Sequence, residues 1–208
     1  MNSGIFDEDY YEHGVESRKS CYSNYRWIPE LTIPMAMSII DHMEIRKHQT
    51  ILDFGCAKGY LVKAFRLLNR PAWGVDISQY AIDNADPMVK DYVSIYTPKN
   101  YIFDFCIAKD VFEHIPIPDL KSILRQITAR RMFAVIPLGE GGIFRAPSNN
   151  MDITHCTCMG EIEWQELFAD CDWSIESFSF RIAGIKDSYS KTDPTAHGFF
   201  TMVNQCLI

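Results

Sequence analysis

The chain has 208 residues, 47% of them hydrophobic, with 20 basic against 27 acidic side chains and a formal net charge of −7. That composition suits one compact domain with a sizeable core. With no basic run longer than Arg130-Arg131, it leaves little for sequence-independent binding to bulk nucleic acid, although a specific nucleic-acid substrate on a local basic patch stays open. Seven scattered cysteines, with Cys56, Cys106 and Cys171 in apolar segments, read as free thiols in a reducing compartment. No apolar run approaches membrane-spanning length, and the N-terminus lacks the basic and apolar regions of a signal peptide, so the expected location is the cytoplasm and no membrane partner is expected.

In chain order, residues 1 to about 28 are acidic, then aromatic and polar, with Tyr10, Tyr11, His13, Tyr22, Tyr25 and Trp27 and no sustained period. They read as an arm whose rings either pack on the domain surface or close over a site. From Pro29 to about Glu44 the spacing of Ala36, Ile39, Ile40 and Met43 predicts a helix with Pro34 tolerated in its first turn. The run Ile51–Phe65 then supplies a strand ending at Asp53, a turn with Gly55 and Gly59, and a helix with Leu61, Ala64, Phe65 and Leu68 on one face. A second strand from Ala72 ends at Asp76, the offset at which a ribose-binding acid is expected. A dinucleotide turn would bring a pyrophosphate to this point. Asp53, two residues before the first glycine, would repel it and suits a ligand with a cation near the turn and no phosphate, which describes S-adenosylmethionine.

Ser78 can cap a helix to about Ala85; Tyr92–Tyr96 reads as a third strand and Phe103–Ala108 as a fourth, with Lys109–Ile115 at its carboxyl end, where open α/β sheets put their chemistry. A link through Pro116 and Pro118 leads to a helix with Leu120, Ile123, Leu124 and Ile127 on one face, and Met132–Pro137 is the fifth strand. A long loop, Leu138–Gly160, carries Arg145 and the run Asp152–Cys158; loops of this length in compact domains are usually functional. A helix with Trp164, Leu167, Phe168 and Cys171 on one face follows. Two strands, about Ser174–Ile182 and His197–Val203, close the chain around a polar excursion through Lys186–Pro194.

Three of these stretches, LDFGCAKGYLVKAF from Leu52, GVDIS from Gly74 and DFCIAKDVFEHI from Asp104, resemble the class I S-adenosylmethionine-dependent methyltransferases, particularly the group with an LDxGCAxG first motif. The resemblance runs from about Tyr10 to about Trp173. It implies an α/β fold: a Rossmann-like, seven-stranded, mostly parallel sheet with helices on both faces and an antiparallel last strand. It implies a single domain over 1–208, with residues 1–45 as a lid, 46–137 as the cofactor-binding core and 138–208 as the substrate side. By the same resemblance S-adenosyl-L-methionine is the cofactor, held by Asp53, Gly55, Cys56, Ala57, Gly59, Asp76, Ile77, Ser78, Lys109, Asp110 and Tyr25. Asp53 would reach the ammonium and Asp76 the ribose hydroxyls. Ala57 stands where a glycine is commoner, and its methyl is tolerable if φ is negative. Asp91 and Tyr96 are the candidates for adenine.

Methyl transfer from a sulfonium is an in-line displacement with a neutral leaving group, so the protein needs mainly to align the acceptor and, for a hydroxyl, to remove a proton. His114, with Glu113 to orient it, and His155 are the catalytic candidates, each resembling a histidine of the family; each could equally be a turn-shaping or loop residue. His155-Cys156-x-Cys158 offers zinc-type donors, but a closed site needs four ligands and no second such pair exists, so no metal is expected. The expected activity is methyl transfer to a small acceptor, foremost a hydroxyl of a sugar or related metabolite. Methylation of a nucleotide or protein, or an inactive cofactor-binding module, stays open. A nicotinamide enzyme is disfavoured by Asp53 and by the absence of a GxGxxG turn.

Overall fold

Apolar runs without polar alternation mark strands buried on both faces. The computed structural model, which describes residues 3–98 and 100–207, gathers those runs at the middle of one sheet. Its strands are β1 (Ile51–Phe54), β2 (Ala72–Val75), β3 (Val93–Ser94), β4 (Phe103–Lys109) and β5 (Ala129–Pro137); β6 (Gly139–Glu140) and β7 (Ile143–Phe144) form a separate hairpin, and β8 (Trp173–Ser179) and β9 (His197–Asn204) complete the sheet. The order is β3-β2-β1-β4-β5-β9-β8. The first five strands are parallel, and β9 runs antiparallel between β5 and β8. This is the Rossmann-like, mostly parallel α/β sheet that the sequence implies. Residues 1, 2 and 208, the ends of the expected single domain, lie outside the described residues.

Side chains alternate between two cores, as period-2 strand geometry requires. On one face Cys106, Ala108, Met132, Ala134, Ile136 and Phe200 pack under α6 (Ile117–Gln126) and α7 (Glu161–Ala169), through Leu120, Leu124, Trp164 and Phe168. On the other, Ile51, Phe105, Ile107, Phe133, Val135 and Phe199 pack under α3 (Pro29–Met43) and α4 (Tyr60–Leu67), through Ala36, Ile39, Met43, Val62 and Phe65. Gly59, with φ +76°, is the N-cap of α4, and α5 (Gln79–Asp83) is capped by Ser78, whose Oγ accepts from Ala81 N at 3.0 Å.

Several boundaries differ from the sequence reading. Pro34 is the sixth residue of α3, beyond its first turn, where the ring removes the amide that would bond Glu30. The third strand shrinks to Val93–Ser94 because Lys90–Tyr92 turns into a short 3-10 segment. The loop 138–160 contains the β6–β7 hairpin, and the excursion after Lys186 coils into α8 (Asp187–Thr192).

The N-terminal arm folds as α1 (Glu8–Glu12) and α2 (Gly14–Ser17). Its rings do not lie loose on the surface: Tyr10 and Tyr11 are buried and pack with Phe6, Tyr22 and Tyr25 against Ala57, Tyr80 and Ala81. Ser78 Oγ donates to Phe6 O at 2.5 Å, and Lys58 pairs with Glu12 while also donating to Tyr25 O at 3.2 Å. The arm is therefore pinned across the carboxyl ends of β1 and β2. Among the described residues no helix is long and apolar enough to cross a membrane.

Candidate active site

At the carboxyl ends of β1, β2 and β4 the chain leaves a cavity of about 490 Å³, roofed by the arm and floored by the glycine turn. The turn is built by the backbone. Gly55 N and Cys56 N both donate to Val75 O, at 2.8 and 3.0 Å, which draws the turn over the end of β2. Gly55 has φ +79°, and a Cβ there would lie 2.3 Å from Val111 Cγ2, so only glycine fits. Ala57 departs from expectation: its φ is +47°, in the left-handed region, not negative. Its amide is held by Asp76 Oδ2 at 2.8 Å, while Asp76 Oδ1 accepts from Ser78 N at 2.8 Å. Asp76 thus shapes the turn as well as facing the cavity.

Of the residues expected at a cofactor, Asp53, Gly55, Cys56, Ala57, Asp76, Ile77, Lys109, Asp110 and Tyr25 line the cavity; Gly59 and Ser78 do not and act as helix caps behind it. Asp91 and Tyr96 also stand outside it. Ile95 and Thr97, on either side of Tyr96 in the segment after β3, line it instead. The sequence reading missed the contribution of α3, where Thr32 and Met35 join the wall, and of Tyr60 at the start of α4. For α3 the signal was present in the polar-apolar mixture of its first turn; for Tyr60 it lay in its place beside the N-cap.

Burial, and then the charge of Asp76, push the Asp53 carboxyl up to about 7, with Lys109 opposing. Burial also raises Asp76. For Asp110 burial acts the other way from the outcome: the ammonium groups of Lys109 and Lys186, at 2.5 and 2.8 Å, overcome it and hold the carboxylate well below its usual range. Lys109 and Asp110 therefore enter the wall as a closed ion cluster. Tyr25, half-buried, is raised by burial and by Asp53.

His114 lines the cavity, edge-on to Phe6 at 5.6 Å between ring centroids. Its Nδ1 lies 2.7 Å from Thr154 Oγ1, and Thr154 Oγ1 donates to Asp152 Oδ1 at 2.5 Å. With the threonine proton given to Asp152, Thr154 Oγ1 can only accept from the imidazole, so His114 Nδ1 is the protonated nitrogen. Its Nε2 keeps a lone pair. His155 is not among the cavity-lining residues. It stands behind His114, ring centroids 4.6 Å apart, with Nδ1 2.7 Å from Asn149 O, a carbonyl that can only accept; its Nε2 also keeps a lone pair. Burial, then His155, lowers His114 to about 4, and burial lowers His155. Glu113 is fully buried, and burial and then Asp110 raise it well above the usual carboxylate range. Cys156 is exposed and Cys158 sits under Gly139, so the His-Cys-x-Cys donors, from which no metal was expected, are not gathered at one point.

Residues 34–134 match the family model described as "Methyltransferase domain". No match to a curated protein is found. Among solved structures the chain is similar to one from the complex of the Haloferax volcanii Trm112 methyltransferase activator with its methyltransferase partner, at 14% identity and TM-score 0.64 over 85% of this chain and 91% of that one. It is also similar to the 1,6-didemethyltoxoflavin-N1-methyltransferase of Burkholderia thailandensis, at 12% identity and TM-score 0.61 over 82% and 76% of the two chains. The geranyl diphosphate C-methyltransferase of Streptomyces coelicolor A3(2) follows, at 13% identity and TM-score 0.58 over 81% and 78%. At such identities the likeness speaks for the fold.

Proposed function

We propose that the chain, whose residues 34–134 match a methyltransferase-domain model and whose sheet is Rossmann-like, is a class I S-adenosylmethionine-dependent methyltransferase that methylates a hydroxyl-bearing small molecule taken into the cavity beneath the arm. The observation that carries the acceptor class is the cavity's size and its aromatic roof. A cavity of about 490 Å³ lined by Phe6, Tyr10, Tyr11, Tyr22 and Tyr25 suits a cofactor with a small partner better than a folded protein or a polynucleotide. Similar structures bear names that speak of small acceptors of varied chemistry, a toxoflavin precursor and geranyl diphosphate among them. The ring faces of the arm also suit the apolar face of a sugar, the acceptor first in line from the sequence.

In this reading Asp53 receives the cofactor's ammonium, the backbone of Gly55 to Ala57 passes along its methionine part, and Asp76 accepts from the ribose hydroxyls while holding the Ala57 and Ser78 amides. Ile77, which follows Asp76, with Ile95 and Thr97 of the same cavity, would take the adenine. The methyl carbon moves from sulfur to the acceptor oxygen as the carbon–sulfur bond breaks, sulfur leaves as a neutral thioether, and the hydroxyl proton must go elsewhere. His114, its tautomer fixed by Thr154 and Asp152, stands in the wall to orient the acceptor, but its free Nε2 faces Glu113 behind that wall, so the hydroxyl proton leaves to solvent; His155 acts through His114 and does not touch the acceptor.

The test is calorimetric titration with S-adenosylmethionine and S-adenosylhomocysteine, followed by a methyl-acceptor screen of sugars, phenols, nucleosides and peptides. Micromolar binding with turnover of a hydroxyl compound is expected. Turnover of a peptide or nucleic acid alone would overturn the acceptor class, and cofactor binding with no turnover on any acceptor would favour an inactive module.

A further inference from the structure

We propose that Glu113, His114 and His155 form a binding site for one divalent transition-metal ion of the zinc kind. Three acceptor atoms converge. Glu113 Oε1 lies 3.9 Å from Nε2 of His114 and 3.9 Å from Nε2 of His155. Among the described residues this is the group of His, Cys, Asp and Glu side chains whose donor atoms gather, all within 4.8 Å of one another. Both carboxylate oxygens of Glu113 are buried without a hydrogen-bond partner. A buried carboxylate left so demands an explanation, commonly a bound water or ion.

The two tautomers turn both free imidazole lone pairs to one carboxyl group, at 3.9 Å from each, beyond hydrogen-bond reach. Asn149 O fixes the proton of His155 on Nδ1, and the Thr154–Asp152 pair fixes that of His114 on Nδ1, so both Nε2 lone pairs face the same carboxylate. Metal-bound histidines are oriented in this way, the far nitrogen donating to a carbonyl or to a carboxylate-linked group. Two imidazoles and one carboxylate suit zinc, manganese, iron, cobalt or nickel rather than calcium. The present spacings exceed the roughly 3.4 Å between ligands around a tetrahedral zinc, so binding would draw the three side chains inward by about an ångström.

The backbone is set for that. Glu113 and His114 are adjacent on the 3-10 turn Phe112–His114, and the loop that brings His155 is bolted to it by Cys156 N and Thr157 N, both donating to Glu113 O at 2.9 Å. Asp152 Oδ2, 3.9 Å from His155 Nε2, adds negative charge, and the nearby ammonium groups of Lys109 and Lys186 are engaged by Asp110. The site stands on these contacts and does not depend on the methyltransferase reading. If both hold, the ion sits behind the cavity wall that His114 forms, takes up its Nε2 lone pair and fixes the ring that faces the acceptor.

The experiment uses the full chain, stripped with chelator, dialysed and titrated with Zn²⁺ by calorimetry and with Co²⁺ by visible and X-ray absorption. One equivalent is expected, with imidazole and oxygen ligation at cobalt. Roughly tenfold or greater weakening is expected in Glu113→Gln and in His155→Asn, and none in a Cys156→Ser/Cys158→Ser double variant. Circular dichroism checks the fold of each variant, and the wild-type cobalt spectrum reads the ligands without any substitution. Absence of stoichiometric binding by the folded wild type, undiminished binding in both Glu113→Gln and His155→Asn, or thiolate ligation lost in the double variant would overturn the site. Titration with S-adenosylhomocysteine on the same samples keeps the two readings apart: a chain that binds metal but no cofactor refutes only the methyltransferase mechanism.

Discussion

Cofactor affinity should rise with pH through the titration of Asp53. Its carboxyl is buried beside Asp76 and sits at about 7 in the free chain, against 3.8 when unperturbed. A cationic ammonium binds the ionised form, so affinity follows the ionised fraction, which falls from about 0.76 at pH 7.5 to about 0.03 at pH 5.5. The dissociation constant for S-adenosylhomocysteine should therefore increase about 25-fold over those two units, close to 2 kcal/mol. Stability of the unliganded chain should move in the opposite sense. Because the folded pKa is raised, the native state holds a proton that the unfolded chain has released between pH 3.8 and about 7, so stability is greatest at the acid side and declines as pH rises through that window. The full decline is on the order of 4 kcal/mol from this one group. Asp53→Asn should bind weakly, lose the pH slope and keep its stability where the wild type declines. Calorimetric titrations at pH 5.5, 6.5 and 7.5, with urea unfolding without ligand at the same values, measure both trends. A pH-independent affinity in the wild type, or an unchanged slope in Asp53→Asn, would refute the assignment of this carboxylate to the ammonium.

Gly55→Ala, at φ +79° and with Val111 Cγ2 2.3 Å from the new methyl, should lose about 1–3 kcal/mol of stability and most cofactor binding; Ala57→Gly relieves a left-handed alanine and should gain up to about 1 kcal/mol, both read by thermal unfolding and calorimetry. Trp173 Nε1 donates to Leu124 O at 3.0 Å whereas Trp164 Nε1 is buried without a partner, so Trp173→Phe should cost about 1–2 kcal/mol more than Trp164→Phe in urea unfolding. Equal costs would refute the contrast. Glu12→Gln strands Lys58 beneath the arm and should loosen it by about 1–3 kcal/mol, seen as faster tryptic cleavage around Arg18 and Lys19 and weaker S-adenosylhomocysteine binding; an unchanged cleavage rate would separate the arm from the site.

The local elements could be read from the sequence because each obeys a rule that acts over a few residues. The apolar runs at Ile51, Ala72 and Phe103 can only be strands buried on both faces, the i, i+3, i+4 spacing in α4, α6 and α7 gives a helix one face to bury, and an acid followed by glycines marks a turn that admits a ligand. The same local rules failed where long-range packing decides. Ala57 is held at φ +47° by the carboxylate of Asp76, from the next strand, so its conformation was invisible in its own neighbourhood. Tyr92–Tyr96 has the composition of a strand, yet at the sheet edge the Lys90–Tyr92 turn leaves only Val93 and Ser94 to pair with β2.

For the candidate site the division is similar. Residues on the first two strand-turn units, Asp53 to Ala57 and Asp76 to Ile77, fell to sequence spacing because one turn carries them. The roof was expected only as a lid over residues 1–45 with Tyr25 at the cofactor; how Tyr10 and Tyr11 come to line the cavity was not legible, since it depends on the pairing of Glu12 with Lys58 and the bond from Ser78 to Phe6. The meeting of Glu113 and His114 with His155 joins chain segments about forty residues apart, and it exists because two amides of the later segment bind one carbonyl of the earlier. Period, capping and turn chemistry are written in neighbouring residues, so the sequence alone determined the strands, the helices and the cradle. Lone-pair directions, burial and the convergence of distant side chains arise only when the chain closes on itself, and the tertiary structure decided those.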